Sequence, residues 1–332
     1  MKTFKQAGFT LIELMIAITL GLILVAVAIQ MLVSGQQNYR IQSSAASLQD
    51  SGLFGINYVT KNIRLANHGN ASIINDESLY GGIVLSNQTS STATPPADGN
   101  LKGLKIGTAL LTGNNLVSAS VNNDSAFSTF PKSDQLVIMY QAPMDTFTCD
   151  GKKVRGPVKI RETKETGEIS ITYAKGWYVI ERYYINKASG KDEANLNCSS
   201  SMFIADGETV PQTYESQTIN AVNTLTANYV ANAGEIIAKN IEYMRVQLVV
   251  RNTNGTTRTL GVNDYKAITT LPRPAVIGVN LGWLVRSSEK VAMAEKTEFK
   301  VLDQTITAAK DGYLRQVYTT TIAIRNGGLG DI

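Results

Sequence analysis

The sequence predicts an α+β protein, in which one long N-terminal helix packs on an antiparallel β-sheet head. Two patterns carry this expectation. An apolar stretch begins at Phe9 and passes, without a turn signal, into residues spaced as one face of a helix. Beyond about residue 70 the chain changes to short runs rich in Val, Ile, Thr and Tyr, separated by turn residues. No internal repeat and no strong linker divides the rest. The expected boundaries are therefore a helix over 9–67 and a single elaborated head over 68–332.

The N-terminal element starts with MKTFKQAG and continues from Phe9 as FTLIELMIAITLGLILVAVAIQMLV. As a helix, residues 14–33 would span about 30 Å, the thickness of a bilayer hydrocarbon core. Lys2 and Lys5 lie on the short side, so the positive-inside rule holds that end in the cytoplasm and sends the C-terminus across. Three plainer readings compete: a secretory signal peptide, a simple anchor and a buried core helix. A secretory signal has a shorter apolar region with a small-residue cleavage site at its far end, whereas this run passes into Gln30, Gln36 and Gln37. A simple anchor has no use for Glu13, because an ionised side chain in an apolar span costs on the order of 3 kcal/mol. Such a residue calls for a partner.

The helical spacing continues beyond the apolar run. Ile41, Ala45, Leu48, Gly52, Ile56, Val59 and Ile63 follow at steps of three and four, with Arg40, Asp50, Lys61 and Arg64 off that stripe. Asn67-His68-Gly69-Asn70 suits a helix C-terminus with a left-handed cap. A helix continuous from Phe9 would be roughly 85 to 90 Å long, more than a globular head can cover. Its upper half must find partners elsewhere. Gly21 is the weak point of the apolar half, and no proline precedes Pro95.

In the head, strands are expected over 135–140, 169–173, 177–185, 236–250, 276–285 and 314–324. Asn254-Gly255 is expected to turn a hairpin between 245–251 and 256–260. The polar stretch 86–100 reads as a mobile loop.

Several function classes find no support. The net charge of +4 comes from interspersed acidic and basic residues, without the Lys/Arg runs of a nucleic-acid-binding arm. His68 is the only histidine and sits at the expected helix end, so a His-based catalytic triad has no basis. There is no CxxC, HExxH, P-loop or GxSxG, Asp192-Glu193 reads as a solvated turn, and Asn122-Asn123-Asp124 is at most a weak ion site without the alternating pattern of a calcium loop. No enzyme activity, cofactor or metal is expected. Two cysteines, Cys149 and Cys198, follow a segment that would export them to an oxidising compartment. A disulfide is the expected reading, with two separate free thiols as the alternative. The bridge would stabilise the fold by roughly 4 kcal/mol in the chain-entropy account.

Gly8-Phe9-Thr10-Leu11-Ile12-Glu13 resembles the class III signal of type IV pilins and type II secretion pseudopilins. The resemblance implies cleavage between Gly8 and Phe9 by a prepilin peptidase, which removes 1–8 as a leader. It also implies N-methylation of Phe9, and a role for Glu13 in assembly, facing the cationic N-terminus of a neighbouring subunit. Further along, Ser51-Gly52-Leu53-Phe54-Gly55-Ile56-Asn57-Tyr58-Val59, Asn240-Ile241-Glu242-Tyr243-Met244-Arg245-Val246-Gln247, Val279-Asn280-Leu281-Gly282-Trp283-Leu284-Val285-Arg286-Ser287 and the closing block from Leu314 to Asn326 are similar to the PilW family of minor pilins. That resemblance implies a minor pilin that helps initiate a type IV pilus and sits at or near its tip, supporting twitching motility, adhesion or DNA uptake. Its partners would be other minor pilins and the major pilin, met through the helix, after a stage in the inner membrane. A type II secretion pseudopilin of the GspJ type is the alternative, and a pilus-borne adhesin or DNA receptor a third. Residues 70–235 match no pattern that would name a ligand.

Overall fold

The computed structural model describes residues 8–87, 99–111, 116–119, 130–163, 167–187, 191, 193–225, 229, 234–291, 296–325 and 327. Lys2 and Lys5, most of the 86–100 stretch, the Asn122-Asn123-Asp124 turn and Asp192 lie outside the described residues.

Helix α1 covers Leu11–Ile63, 53 residues, or about 80 Å. It stops short of the expected residue 67. Leu65 and Ala66 donate to Asn62 and Ile63, so the last bonds tighten to a three-residue spacing. The Asn67 amide then turns away to the Met139 carbonyl at 3.0 Å. The left-handed residues fall where the sequence placed them, at Asn67 (φ 66°) and Gly69 (φ 82°). They reverse the chain after helix bonding has already ended.

The longer strands are, in chain order, β1 (Leu136–Gln141), β2 (Val158–Thr163), β3 (Ile169–Ala174), β4 (Tyr178–Lys187), β5 (Ala194–Phe203), β6 (Glu235–Ala238), β7 (Ile241–Arg251), β8 (Thr257–Gly261), β9 (Ala275–Lys290), β10 (Glu298–Val301), β11 (Gln304–Thr307) and β12 (Tyr313–Ala323). They build two four-stranded antiparallel sheets, β6-β5-β4-β1 and β8-β7-β9-β12. The inner faces of both sheets share one core with the lower half of α1, through residues such as Val179 and Tyr183, Val246 and Trp283, and Val59 and Ile63. A second cluster around Leu101, Leu104 and Phe203 backs the first sheet, and a third around Phe130, Leu284 and Phe299 backs the second. The α+β architecture is the one expected.

The strand expected over 236–250 is instead two strands in two different sheets. Asn240 adopts φ 59°, which asparagine tolerates better than the β-branched residues around it. Its amide takes the Asn195 side-chain oxygen in the first sheet, and its carbonyl accepts from Arg286 in the second. The single residue is therefore the crossover between the sheets. A central strand buried at all but one residue, β5, was not expected at all. Its sequence ANLNCSSSMF contains few strong strand formers, and its place is set by pairing with β4 and by burial.

The Asn254-Gly255 hairpin forms with a longer loop than two residues: Arg251 pairs with Thr257, Asn252 donates to Thr256 at 2.9 Å and Gly255 has φ 79°. Strands β2 and β3 pair only with each other, leaving Ile169, Ile171 and Tyr173 exposed. The ends of the expected mobile loop are pinned rather than free. The Asn100 amide donates to Ser86 Oγ at 2.9 Å, and Asn100 Oδ1 accepts from the Leu85 amide at 2.7 Å.

Candidate functional site

The helix begins with a reciprocal cap. Thr10 Oγ1 accepts from the Glu13 amide at 3.3 Å, and Glu13 Oε2 accepts from the Thr10 amide at 3.0 Å. Two otherwise unpaired amides are satisfied in this way. Within the isolated chain, then, Glu13 folds back onto its own helix terminus. The signal was legible as Thr-x-x-Glu just before an apolar run, and sequence reasoning passed over Thr10. Gly8 precedes the cap, and a Cβ built there meets nothing within 4 Å, so the chain's own packing does not require glycine at this position. Phe9 is 89% exposed.

From there to Val33 the helix is apolar on all sides and covered on none. Its most apolar window has a mean hydropathy of 2.7 and no buried residue. A helix apolar all round is stable only within lipid or among other apolar surfaces. Gly21 and Gly35 open onto free space as well, whereas glycines lower down are tightly used.

At the lower end the helix is seated on the head by two notches. A Cβ at Gly52 would lie 2.5 Å from the Tyr318 ring of β12, and one at Gly55 would lie 2.9 Å from Ala238 and 3.0 Å from the Trp283 indole. The helix backbone thus rests directly on aromatic rings of the second sheet. On its other side Leu53 and Phe54 remain exposed. Polar contacts fix the last turns: Tyr58 donates to the Cys149 carbonyl at 3.0 Å, and Asn62 Nδ2 donates to the Tyr183 hydroxyl at 3.0 Å. His68 follows the helix, with Nδ1 2.7 Å from the Gln141 carbonyl, so it ties the reversal to β1.

Cys149 and Cys198 are joined in a disulfide that spans 49 positions, with Cα atoms 6.1 Å apart. Directly beside it lies Glu181, fully buried, which accepts from the Tyr183 hydroxyl at 2.6 Å, the Cys149 amide at 2.8 Å and the Tyr140 hydroxyl at 3.1 Å. Burial pushes its carboxyl up to about 7, against the pull of those three donors. A chain of contacts therefore runs from Asn62 of the helix through Tyr183 and Glu181 to the disulfide loop. Only Glu181 and Tyr183 share an element, β4; the helix, β1 and the Cys149 loop supply the others, so their meeting could not be read from the sequence.

Two buried ion clusters hold the second sheet. Arg315 Nε lies 2.7 Å from Glu242 Oε2 and its Nη2 lies 2.6 Å from Asp311 Oδ2, while Arg286 Nε lies 3.5 Å from Glu242 Oε1 and its guanidinium sits 4.1 Å above the Tyr313 ring. Burial pushes the Glu242 carboxyl up, and the two arginines oppose that shift. Arg245 spans Asp303 at 2.6 Å and fully buried Asp134 at 3.2 Å, and Asp134 also accepts the Val246 amide at 2.7 Å. Among the described residues, no group of three or more His, Cys, Asp or Glu could hold a metal ion.

Glu242, Arg286 and Arg315 come from three separate sequence blocks, which the fold brings to one place. Residues 182–326, which contain all three, match the family model described as type IV pilus-assembly protein W, and residues 3–29 match the prokaryotic N-terminal methylation motif. These matches support a PilW-family type IV pilin. The PilW region opens within β4 and runs past β12, so it takes in Cys198, the sheet crossover, the Glu242 cluster, and Arg245 and Asp303 of the other cluster but not Asp134. Cys149 and Tyr140 lie before it. Among solved structures, a type IV-like pilin from Thermus thermophilus is similar at 11% identity, covering 84% of this chain and 96% of that one with a TM-score of 0.34. No curated protein matches the sequence. The matched regions are those of pilus-assembly pilins, and the N-terminal apolar helix is suited to membrane anchoring and to association with other pilins.

Proposed function

We propose that this PilW-family chain is a minor pilin, cut between Gly8 and Phe9 by a prepilin peptidase, N-methylated at Phe9, and built into a type IV pilus at or near its tip. One observation carries the reading: among the described residues the head covers only the lower part of α1, leaving the apolar half exposed. Before assembly that half crosses the inner membrane with its N-terminus in the cytoplasm. In the filament it packs among the helices of the major pilin and of other minor pilins. A head over 68–332 has a radius of gyration of roughly 18 Å, whereas packed helices lie about 8 to 10 Å apart. Heads of this size crowd one another, which favours a scarce subunit placed at one end.

Glu13 has two possible uses, and they can be separated. In the isolated chain it caps its own helix, and in the filament it neutralises the methylated N-terminal amine of a subunit above it. A subunit with nothing above it would have no such amine to meet, so retention of Glu13 supports a place just beneath another minor pilin.

The test begins with processing: Gly8→Arg, which meets no obstacle in the folded chain, should accumulate uncut precursor in membranes. Normal maturation of that variant rejects the cleavage reading. Glu13→Ala should be cut normally yet lost from sheared filaments, whereas Thr10→Val, which removes only the hydroxyl side of the cap, should still be incorporated. Equal loss in both variants would make Glu13 a cap and nothing more. Loss of protein secretion with piliation intact, on deletion of the chain, would move it to a secretion system.

A further inference from the structure

Of the four outer strands in the two sheets, three are protected in familiar ways. Strand β1 is covered, because Val84 donates to Val137, Met139 to Gly82 and Asn67 to Met139. Strands β6 and β8 are short, with 4 and 5 residues, and β8 carries exposed Arg258. Strand β12 is different. It has 11 residues, pairs only with β9, and has neither a charge nor a proline from Gln316 to Ala323. Native edges of that length are ordinarily blunted by lysine, proline, a bulge or a covering segment.

The direction of its free hydrogen-bonding groups follows from one bond. Ile324, opposite Ile277, donates to the Ile277 carbonyl at 3.0 Å, so this is a hydrogen-bonded pair of the antiparallel ladder. Alternation makes Ile322, Thr320 and Tyr318 bonded as well, opposite Val279, Leu281 and Trp283. Val317, Thr319, Thr321 and Ala323 then point their amides and carbonyls away from the sheet. Among the described residues, nothing donates to or accepts from them. Their side chains face away from α1, with Thr319, Thr321 and Ala323 exposed, while Tyr318 on the other face fills the Gly52 notch.

We propose that the edge of β12 takes up an extended strand from the head of a different pilus subunit, continuing the second sheet across the subunit boundary. The inference rests on the pilus reading above. The position argues for that occupant: β12 lies directly beneath α1, so a strand added there runs alongside the helix. Neighbouring subunits must approach there when their helices pack. The added strand is uncharged opposite 317–323, since a charge there would be placed against an edge with nothing to pair it. A scarce subunit meets other chains more often than itself, so the partner is a different protein.

The test uses the full chain in cells that assemble the filament. Thr319→Pro removes one outward amide that takes no part in the β9 ladder, and Thr319→Ala is its side-chain control. A photo-crosslinking residue at Thr321 reports the neighbour. The expected result is that Thr319→Pro is cut, disulfide-bonded and protease-resistant, yet falls at least about tenfold in sheared filaments, while Thr319→Ala matches the parent. The crosslink should map to a strand segment of a different pilus protein and vanish with Thr319→Pro. Parental incorporation of the proline variant overturns the proposal, as does a crosslink to a second copy or to this chain beyond residue 325. If Thr319→Pro misfolds, the crosslink in the parent decides alone. If the parent is itself missing from filaments, the pilus reading fails first, and the same crosslink in the membrane fraction still shows whether a foreign strand occupies the edge.

Discussion

Replacing Glu181 by glutamine should change how the stability of the head depends on pH, with a sign that follows from the burial of its carboxyl. The carboxyl is pushed from 4.5 up to about 7 by burial, with Asp150 adding to the shift and the Tyr183, Cys149 and Tyr140 donors opposing it. Between those values the folded head holds a proton that the unfolded chain has released. The stabilisation is therefore fully present below pH 4.5 and lost as pH rises through about 7. At about 1.4 kcal/mol per unit, the loss is about 3 kcal/mol. Glutamine keeps the shape, accepts the Cys149 amide and carries no titrating proton. The parent-minus-variant stability should accordingly fall by about 3 kcal/mol from about pH 4 to about pH 8. Denaturant unfolding of the full chain with its disulfide intact measures it, using the fluorescence of Trp177 and Trp283, both buried. A flat difference, or one that grows with pH, would refute the reasoning.

Three further outcomes are expected. Gly52→Ala should destabilise the head by about 1 to 3 kcal/mol despite a better helix propensity, because its Cβ meets the Tyr318 ring, and Tyr318→Ala in the same chain should remove most of that penalty in a double-mutant cycle. Arg315→Ala should cost about 3 to 5 kcal/mol by leaving Glu242 buried beside Arg286 alone, and Arg315→Ala with Glu242→Gln should be milder than Arg315→Ala by itself, as read from unfolding midpoints. Thiol labelling of the denatured, unreduced chain should modify neither Cys149 nor Cys198, and reduction before denaturation should lower stability by about 4 kcal/mol.

The long helix was legible because its signal is local: an apolar run, a three-and-four stripe, and Asn67 and Gly69 at the reversal. Six strand segments were legible from β-branched and aromatic residues, but their grouping into two sheets was not. The run from Ile236 to Val250 looks continuous because Ile and Val recur along it, and only the left-handed turn at Asn240 divides it. Strand β5 was invisible for the opposite reason, since Asn, Ser and Ala carry no strand signal and take their conformation from β4. The ends of the candidate site show the same contrast. Gly8, Phe9 and Glu13 announce themselves by position in an apolar segment, whereas the seat of the helix depends on Tyr318, Trp283, Tyr183 and Glu181, brought together only by folding. Thr10 was readable from its spacing to Glu13, and the cap they form shows Glu13 serving its own helix terminus.

The glycine notches have a mechanical consequence. A filament under tension passes force from one subunit to the next along their helices, so the joint between α1 and its head decides whether the head follows the helix or is stripped from it. With Tyr318 set against Gly52, and Trp283 against Gly55, axial sliding of α1 must push ring against backbone at two places one turn apart. The joint is loaded in shear, with both obstacles engaged together, and cannot be peeled one contact at a time. Pull on the helix is thereby handed to the long strands β9 and β12 as a unit, and the head turns with the helix instead of swivelling on it.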